Sequence, residues 1–216
     1  NNPSLFITLD SDRTELYADL LASLTNVDSR KIFHQKMNEK EYEKVVTIHK
    51  NVNKYINVDV LDSTCYFNVI KNKIREAVFK NGVSFVTIDY LELISIDRFE
   101  ELIPTFYYSP EEKTKIILSE LKQLAKELNI AIVLNTHIKD VCFQNQESPS
   151  ILDFRQPHLI SQYSDSIVFI WEKDNKSILT VEKSSNGFKG NINNLIFRRE
   201  FSRFDEVDNQ GELNIH

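Results

Sequence analysis

Glycine is scarce in this chain: four residues in 216, at Gly82, Gly187, Gly190 and Gly211. None lies in a phosphate-cradling pattern, and no GxxxxGK[ST] string occurs, so these residues contain no loop of backbone amides built to wrap a triphosphate. Cysteine is scarcer still. Cys65 and Cys142 stand far apart without metal-ligand spacing, which excludes a disulfide scaffold and a zinc module. No apolar run approaches the length of a membrane span, and the first residues lack the basic and apolar parts of a secretory leader. A cytoplasmic setting is the expectation. Positive charge is also short: 26 Lys and Arg stand against 32 Asp and Glu, a formal charge of −6. Composition therefore supplies no global attraction to nucleic acid, and a DNA-binding surface would have to be local.

What is present is a series of short apolar runs separated by helical periodicity, at a length that fits one large α/β domain. The run that organises the rest is Ser84-Phe85-Val86-Thr87-Ile88-Asp89-Tyr90. It reads as a buried central strand of a parallel sheet, and ligands of such sheets gather outside the carboxyl ends of the strands. Asp89 is thus a candidate oxygen ligand for a nucleotide-bound Mg²⁺ or its waters. An aspartate after an apolar run is also an ordinary strand-to-turn transition. The chain opens on a similar run, Leu5 to Asp10, which brings a second carboxylate to the same sheet edge. A start on a core strand points to a further segment upstream, with a native short N-terminus as the alternative.

Ser11 or Asp12 is expected to cap a helix through Leu16, Leu20, Leu21 and Leu24. A second helix is expected over 38–50, where His49, like His34, reads as a surface histidine. A strand over 55–60 precedes a helix over 66–79 with Phe67, Ile70, Ile74 and Val78 on one side, closed by Asn81-Gly82. Helix followed by buried strand favours crossover connections and a parallel sheet. Beyond Asp89, an irregular stretch carries Phe99, Phe106, Tyr107 and Tyr108, either a docking surface or a folded flap. Ser109-Pro110-Glu111-Glu112 marks a helix start, and Asn129 its end. The apolar strand 130–134 finishes in Asn135-Thr136-His137, polar groups placed to sense a phosphate or merely to satisfy a turn. Residues 139–161 read as a long surface loop. Strands over 166–171 and 178–183 follow with a hairpin-like break, then a last strand over 193–198 and a polar tail over 205–216.

In this order the chain resembles the C-terminal, RecA-like motor domain of the bacterial DnaB-type replicative DNA helicases. The matching stretches are ITLDSDRTELYADLLASLTNV, VTIDYLELIS, LKQLAKELNIAIVLNTHI, LDFRQPHLISQYSDSIVFIWEKD, VEKSSNG and FSRFDE. They keep their order and spacing along nearly the whole chain. The resemblance implies a RecA-like P-loop NTPase-type core over 1–204, a mostly parallel twisted sheet flanked by helices, with hairpin strands toward the C-terminus. It also implies a homohexameric ring that binds Mg²⁺-ATP at subunit interfaces and moves 5′ to 3′ on single-stranded DNA through its centre.

Residue by residue, the resemblance implies that Asp89 supports Mg²⁺. Asp10 falls where a glutamate polarises the attacking water. Thr136 falls where a glutamine couples the phosphate end to the DNA-facing loops. Lys183 matches a lysine that reaches across the interface to the nucleotide, and Arg203-Phe204 a recurring Arg-Phe pair. Arg155 matches a residue of a channel-facing loop, and Arg98 and Lys139 are the other cations expected to face nucleic acid.

Departures from the pattern fall on the chemistry. Asp10 is one methylene shorter than glutamate, and a threonine lacks the two-ended amide of glutamine. Ser185 stands at the arginine-finger position, a loss that costs on the order of 10³-fold or more in rate. Two other readings therefore stay open: a catalytically degenerate RecA-like module acting through protein interactions at a replisome, and a non-helicase RecA-like ATPase. Without a phosphate loop, the 216 residues by themselves are expected to be inactive and not to bind ATP tightly. Calorimetry with Mg²⁺ present should detect no micromolar Kd; finding one would overturn this expectation.

Overall fold

The structure, a computed structural model, describes residues 3–52, 56–60, 66–96, 108–139, 148–173 and 176–206. The chain divides into two compact units, one comprising Asn1–Tyr17 and Val46–His137, the other Ala18–Val45 and Ile138–His216. Among the described residues no helix is long and apolar enough to cross a membrane. Cys65, Cys142, Arg98, Phe99, Phe106, Tyr107 and the tail beyond Glu206 lie outside the described residues.

The first unit is built on a parallel sheet. Strand β1 (Ser4–Thr8) pairs with β2 (Ile56–Val60) on one side and with β3 (Phe85–Asp89) on the other, and β3 pairs with β4 (Ala131–Leu134). The order is β2-β1-β3-β4, with every pair parallel. Leu5, Ile7, Val86 and Ile88 are buried along the two inner strands, as their apolar runs require. β4 is less enclosed than its sequence predicts: it ends the sheet order, and Val133 is 42% exposed.

Helix α1 (Arg13–Thr25) starts at Asp12, whose Oδ1 accepts from the Thr14 amide at 2.7 Å. That bond holds the Asp12 carboxyl below its ordinary range. Helix α2 (Ser29–Phe33) is not evident from periodicity, being too short to show one; Asp28 accepts from the Arg30 amide at 2.8 Å and starts it. Helix α3 (Glu39–Val52) begins at a reciprocal pair, Asn38 and Glu41, each side chain accepting from the other's amide at 2.9 Å. His49 is exposed and meets the Tyr17 ring edge-on at 5.6 Å.

Helix α4 (Phe67–Asn81) buries Phe67, Ile70, Ile74 and Ala77 at helical spacing. It stops at Gly82, whose φ of +66° returns two amide bonds to the last turn, a backbone shape that glycine adopts without strain. Helix α5 (Pro110–Leu128) opens with a full capping box between Ser109 and Glu112 and a proline in its first turn. Asn129, at φ +53°, closes it. Ion pairs tie α4 to α5, Lys71 to Glu120 and Arg75 to Glu127.

In the second unit the described part of the expected long loop, from residue 148 on, is more ordered than its composition suggests. A 3-10 turn (Ile151–Asp153) and helix α6 (Pro157–Tyr163) occupy it, with Leu159 and Ile160 buried. Seven residues are too few for a hydrophobic period, so only Pro157 signals the start. The antiparallel sheet that follows has order β5 (Ser166–Lys173), β6 (Lys176–Ser184), β7 (Gly190–Arg198), β8 (Arg203–Glu206). β7 begins three residues before the expected strand, and β8 carries regular structure through Asp205 and Glu206, the first two residues of the expected polar tail. Phe154 stacks on Phe169 at 5.2 Å in this unit's core.

Ile88→Ala, at a fully buried position of β3, is expected to lower unfolding free energy by about 2–5 kcal/mol. Val133→Ala, on the exposed side of β4, should change it by roughly 0.5 kcal/mol. Urea midpoints at unchanged m-value test both.

Candidate functional site

Parallel pairing places the carboxyl ends of β1, β3 and β4 on one rim of the first unit. Thr8 aligns with Asp89, and Ile88 with Leu134. The rim is laced by backbone: the Leu9 amide donates to the Asp89 carbonyl at 2.9 Å, the Asn135 amide to the Ile88 carbonyl at 3.0 Å, and the Leu91 amide to the Asn135 carbonyl at 2.9 Å. Asp10 is held at the tip of β1 by the fully buried Thr8, whose Oγ1 accepts from the amides of Asp10 (3.4 Å) and Ser11 (3.1 Å). Asp89 accepts from Asn135 Nδ2 at 3.0 Å through Oδ1, and its other oxygen takes no hydrogen bond from the described residues.

Thr136 donates through Oγ1 to Glu92 Oε1 at 2.7 Å, and the His137 amide donates to the same oxygen at 3.2 Å. The rings of Tyr90 and His137 meet at 4.2 Å. Desolvation first, and then the charges of Asp10, Glu92 and Asp89, push the Tyr90 phenol above its ordinary value. Asp10, Asp89 and Thr136 are therefore neighbours on one rim, as expected from the strand ends. Glu92 is a member of the rim that the strand-end pattern does not single out. Its only signal in the sequence is a carboxylate between Leu91 and Leu93, three residues past Asp89.

Asp10, Asp89 and Glu92 bring three carboxylates to this rim, and Asn135 and Thr136 bond to two of them. No group of three or more His, Cys, Asp or Glu among the described residues is arranged to hold a metal ion. The donor set, an aspartate with one oxygen unengaged by the described residues and acids nearby, fits a Mg²⁺ carried in by phosphate oxygens and waters.

Of the cations singled out from sequence, Lys139, Arg155, Lys183 and Arg203 lie in the second unit, and the charges of Lys139, Lys183 and Arg203 are engaged locally. Lys183 donates to the Ser161 carbonyl at 2.6 Å and the Ser164 carbonyl at 2.7 Å, so it caps the C-terminus of α6. Arg203 is forked onto Asp205 through Nε at 2.6 Å and Nη2 at 3.3 Å. Its Nη1 donates to the Ser23 carbonyl at 2.6 Å and to Asn26 Oδ1 at 2.8 Å, at the end of α1, whose last turn has no basic residue of its own. Phe204 packs on Phe197 at 4.8 Å. Lys139 donates to the Leu152 carbonyl at 3.1 Å, while Arg155 is exposed. Ser185 is exposed in the turn that follows β6.

Comparisons with known proteins follow the same lines. The sequence model of the DnaB-like helicase C terminal domain family matches residues 1–206. The chain is 26% identical over 215 residues to a replicative DNA helicase DnaB of Buchnera aphidicola subsp. Baizongia pistaciae (strain Bp), covering 94% of this chain and 45% of that protein. It is 24% identical over 221 residues to a replicative DNA helicase DnaB of Geobacillus stearothermophilus, covering 96% and 46%. A probable plasmid replicative DNA helicase of Chlamydia trachomatis is 27% identical over 185 residues, covering 84% and 39%. The chain thus spans less than half the length of these relatives. Among solved structures, one described as an ATPase domain superposes with a TM-score of 0.79 at 21% identity, over 96% of this chain and 75% of that one. A DnaB-like replicative helicase, in a structure titled for its interactions with primase, superposes at 0.75 and 21% identity, over 94% and 50%. At those identities the likeness is one of fold.

Lys183→Met and Arg203→Ala are each expected to lower stability by about 1–3 kcal/mol, because each removes a charged donor from backbone carbonyls. Denaturant unfolding, with amide exchange over α6 for Lys183→Met, measures this; unchanged stability would remove the capping role.

Proposed function

The chain belongs to the DnaB-like helicase C-terminal domain family, and on that premise we propose that it is the motor portion of a replicative DNA helicase. In this reading the intact parent hydrolyses Mg²⁺-ATP at the interfaces of a hexameric ring and translocates on single-stranded DNA in the cytoplasm. The observation that carries it is the gathering of Asp10, Asp89 and Thr136 on one sheet rim, in a chain matched by the family model over residues 1–206. The phosphate loop such a motor needs is not among these residues, and in this reading it lies in the rest of the parent.

Each residue then has a task. Asp89, fixed by Asn135 on one oxygen, holds Mg²⁺ or its waters with the other. The ion, when bound, offsets charge on the transferring phosphoryl group. Asp10, on the buried Thr8 hook, orients and polarises the attacking water, the shorter side chain being set by its rigid turn. Thr136 senses the state of the phosphate end through its hydroxyl. Lys183, now on the α6 carbonyls, and Arg203, now on Asp205 with Phe204 beside it, are the proposed nucleotide contacts. Arg98, Lys139 and Arg155 are the proposed contacts to DNA phosphates. By analogy with the solved neighbour titled for its interactions with primase, a primase is a candidate protein partner.

A second reading is favoured by a specific set of positions. Ser185 replaces the arginine finger, Thr136 the glutamine, and Lys183 and Arg203 are engaged in capping and ion pairing. A RecA-like module kept for protein contacts would tolerate all of these.

The test uses the full-length protein. It should hydrolyse ATP slowly, faster with single-stranded DNA, and Asp89→Asn should lower turnover on the order of 10²-fold or more. DNA binding should weaken as salt rises. No hydrolysis, and no DNA binding at low salt, would overturn the motor reading in favour of the interaction module.

A further inference from the structure

Glu92 has no assigned task, yet it joins two of the strand tips that the motor reading depends on. It sits on the 3-10 turn Leu91–Leu93 directly after β3. Its Oε1 accepts from the Thr136 hydroxyl at 2.7 Å and from the His137 amide at 3.2 Å, both just past β4. The second oxygen, Oε2, is buried and has no hydrogen-bond partner among the described residues. The Glu92 carbonyl accepts from Lys113 Nζ of α5 at 3.3 Å, which ties the same residue to a helix. Burial lowers the pKa of the Lys113 ammonium, and the Glu92 charge opposes that shift.

A carboxylate is an unusual choice for a turn between two leucines if its only task is to close a backbone. One oxygen receiving two donors from β4's tip, with the other buried and unused, is the geometry of a clamp with a spare acceptor. We infer that Glu92 is a positioning residue. It fixes the rotamer of Thr136 and the path of the chain into His137, so that the tips of β3 and β4 move as one piece. A threonine hydroxyl can rotate freely about its C–O bond. Donation to Glu92 settles where its hydrogen points. Thr136 and Glu92 together then act as one two-part sensor, Glu92 holding in place the hydroxyl that does the sensing. This inference rests on the motor reading for its catalytic consequence, but the clamp itself does not.

The experiment uses the full-length protein and the variants Glu92→Ala, Glu92→Gln, Thr136→Val and the Glu92→Ala/Thr136→Val double. DNA-stimulated ATP turnover and amide exchange at His137 are both measured. Glu92→Ala should lower kcat about 10–100-fold, the scale of a reacting group displaced by a fraction of an ångström to one ångström, with KM for ATP little changed. Glu92→Gln, which keeps an acceptor for both donors, should recover most of it. The double variant should be no slower than the slower single, since the two side chains act as one unit. His137 should exchange about tenfold faster or more in Glu92→Ala than in Glu92→Gln. Wild-type turnover in Glu92→Ala, or effects that multiply in the double, would overturn the sensor. If the wild-type protein hydrolyses no ATP, the motor reading fails on its own, and His137 exchange still decides the clamp: equal exchange in the two Glu92 variants overturns it.

Discussion

Parallel pairing of β1 with β3, and of β3 with β4, is the constraint from which the rest of the first unit follows. In a parallel sheet every strand must re-enter from the same side, so every crossover is obligatory and every carboxyl end faces one way. The register fixes which residues meet there: Thr8 opposite Asp89, and Ile88 opposite Leu134. The ladder then extends one step past the strands, through Leu9 onto Asp89 and Asn135 onto Ile88. A slip by one residue would turn Ile7, Val86 and Ile88 out of the core and Asp89 into it. Burial of those apolar side chains therefore also sets the position of the acids.

Much of this is legible in the sequence. β3 announces itself as an apolar run ending in a carboxylate, α4 as buried positions at helical spacing with a glycine behind them, and α5 as a serine, proline and glutamate in capping order. Those signals are local, and local signals survive in sequence. What stays hidden depends on partners distant in the chain. Nothing near Lys183 marks Ser161 and Ser164 as its acceptors, nor does the Arg203 neighbourhood point 180 residues back to Ser23. Helix α6 escapes a periodicity reading because it is too short for a period, and β8 because four alternating residues after a bend resemble any polar tail. Glu92 is hidden for a different reason: its role appears only when the chain after β4 is brought alongside the turn after β3.

The two units divide the polar chemistry unevenly. The first holds the acids and hydroxyls at its rim. The second holds Lys139, Lys183 and Arg203, and the structure uses their charge on backbone carbonyls and one aspartate. Capping a short helix with lysine is an effective way to order it, but it sets a competition. Two of the three ammonium donors of Lys183 are committed to carbonyls, and only one is left for any other acceptor. Lys183 and Arg203 thus both act, as they stand, in holding their own unit together.

The single-rim arrangement is tested most directly by a paramagnetic probe. Mn²⁺ with ATP, added to the methyl-labelled full-length protein, should broaden the methyls of Thr8, Leu9, Leu134 and Thr136 and spare those of Leu5, Val83 and Ile130, at or just before the far ends of the same strands. Broadening at the far ends, or equal broadening at both, would contradict it.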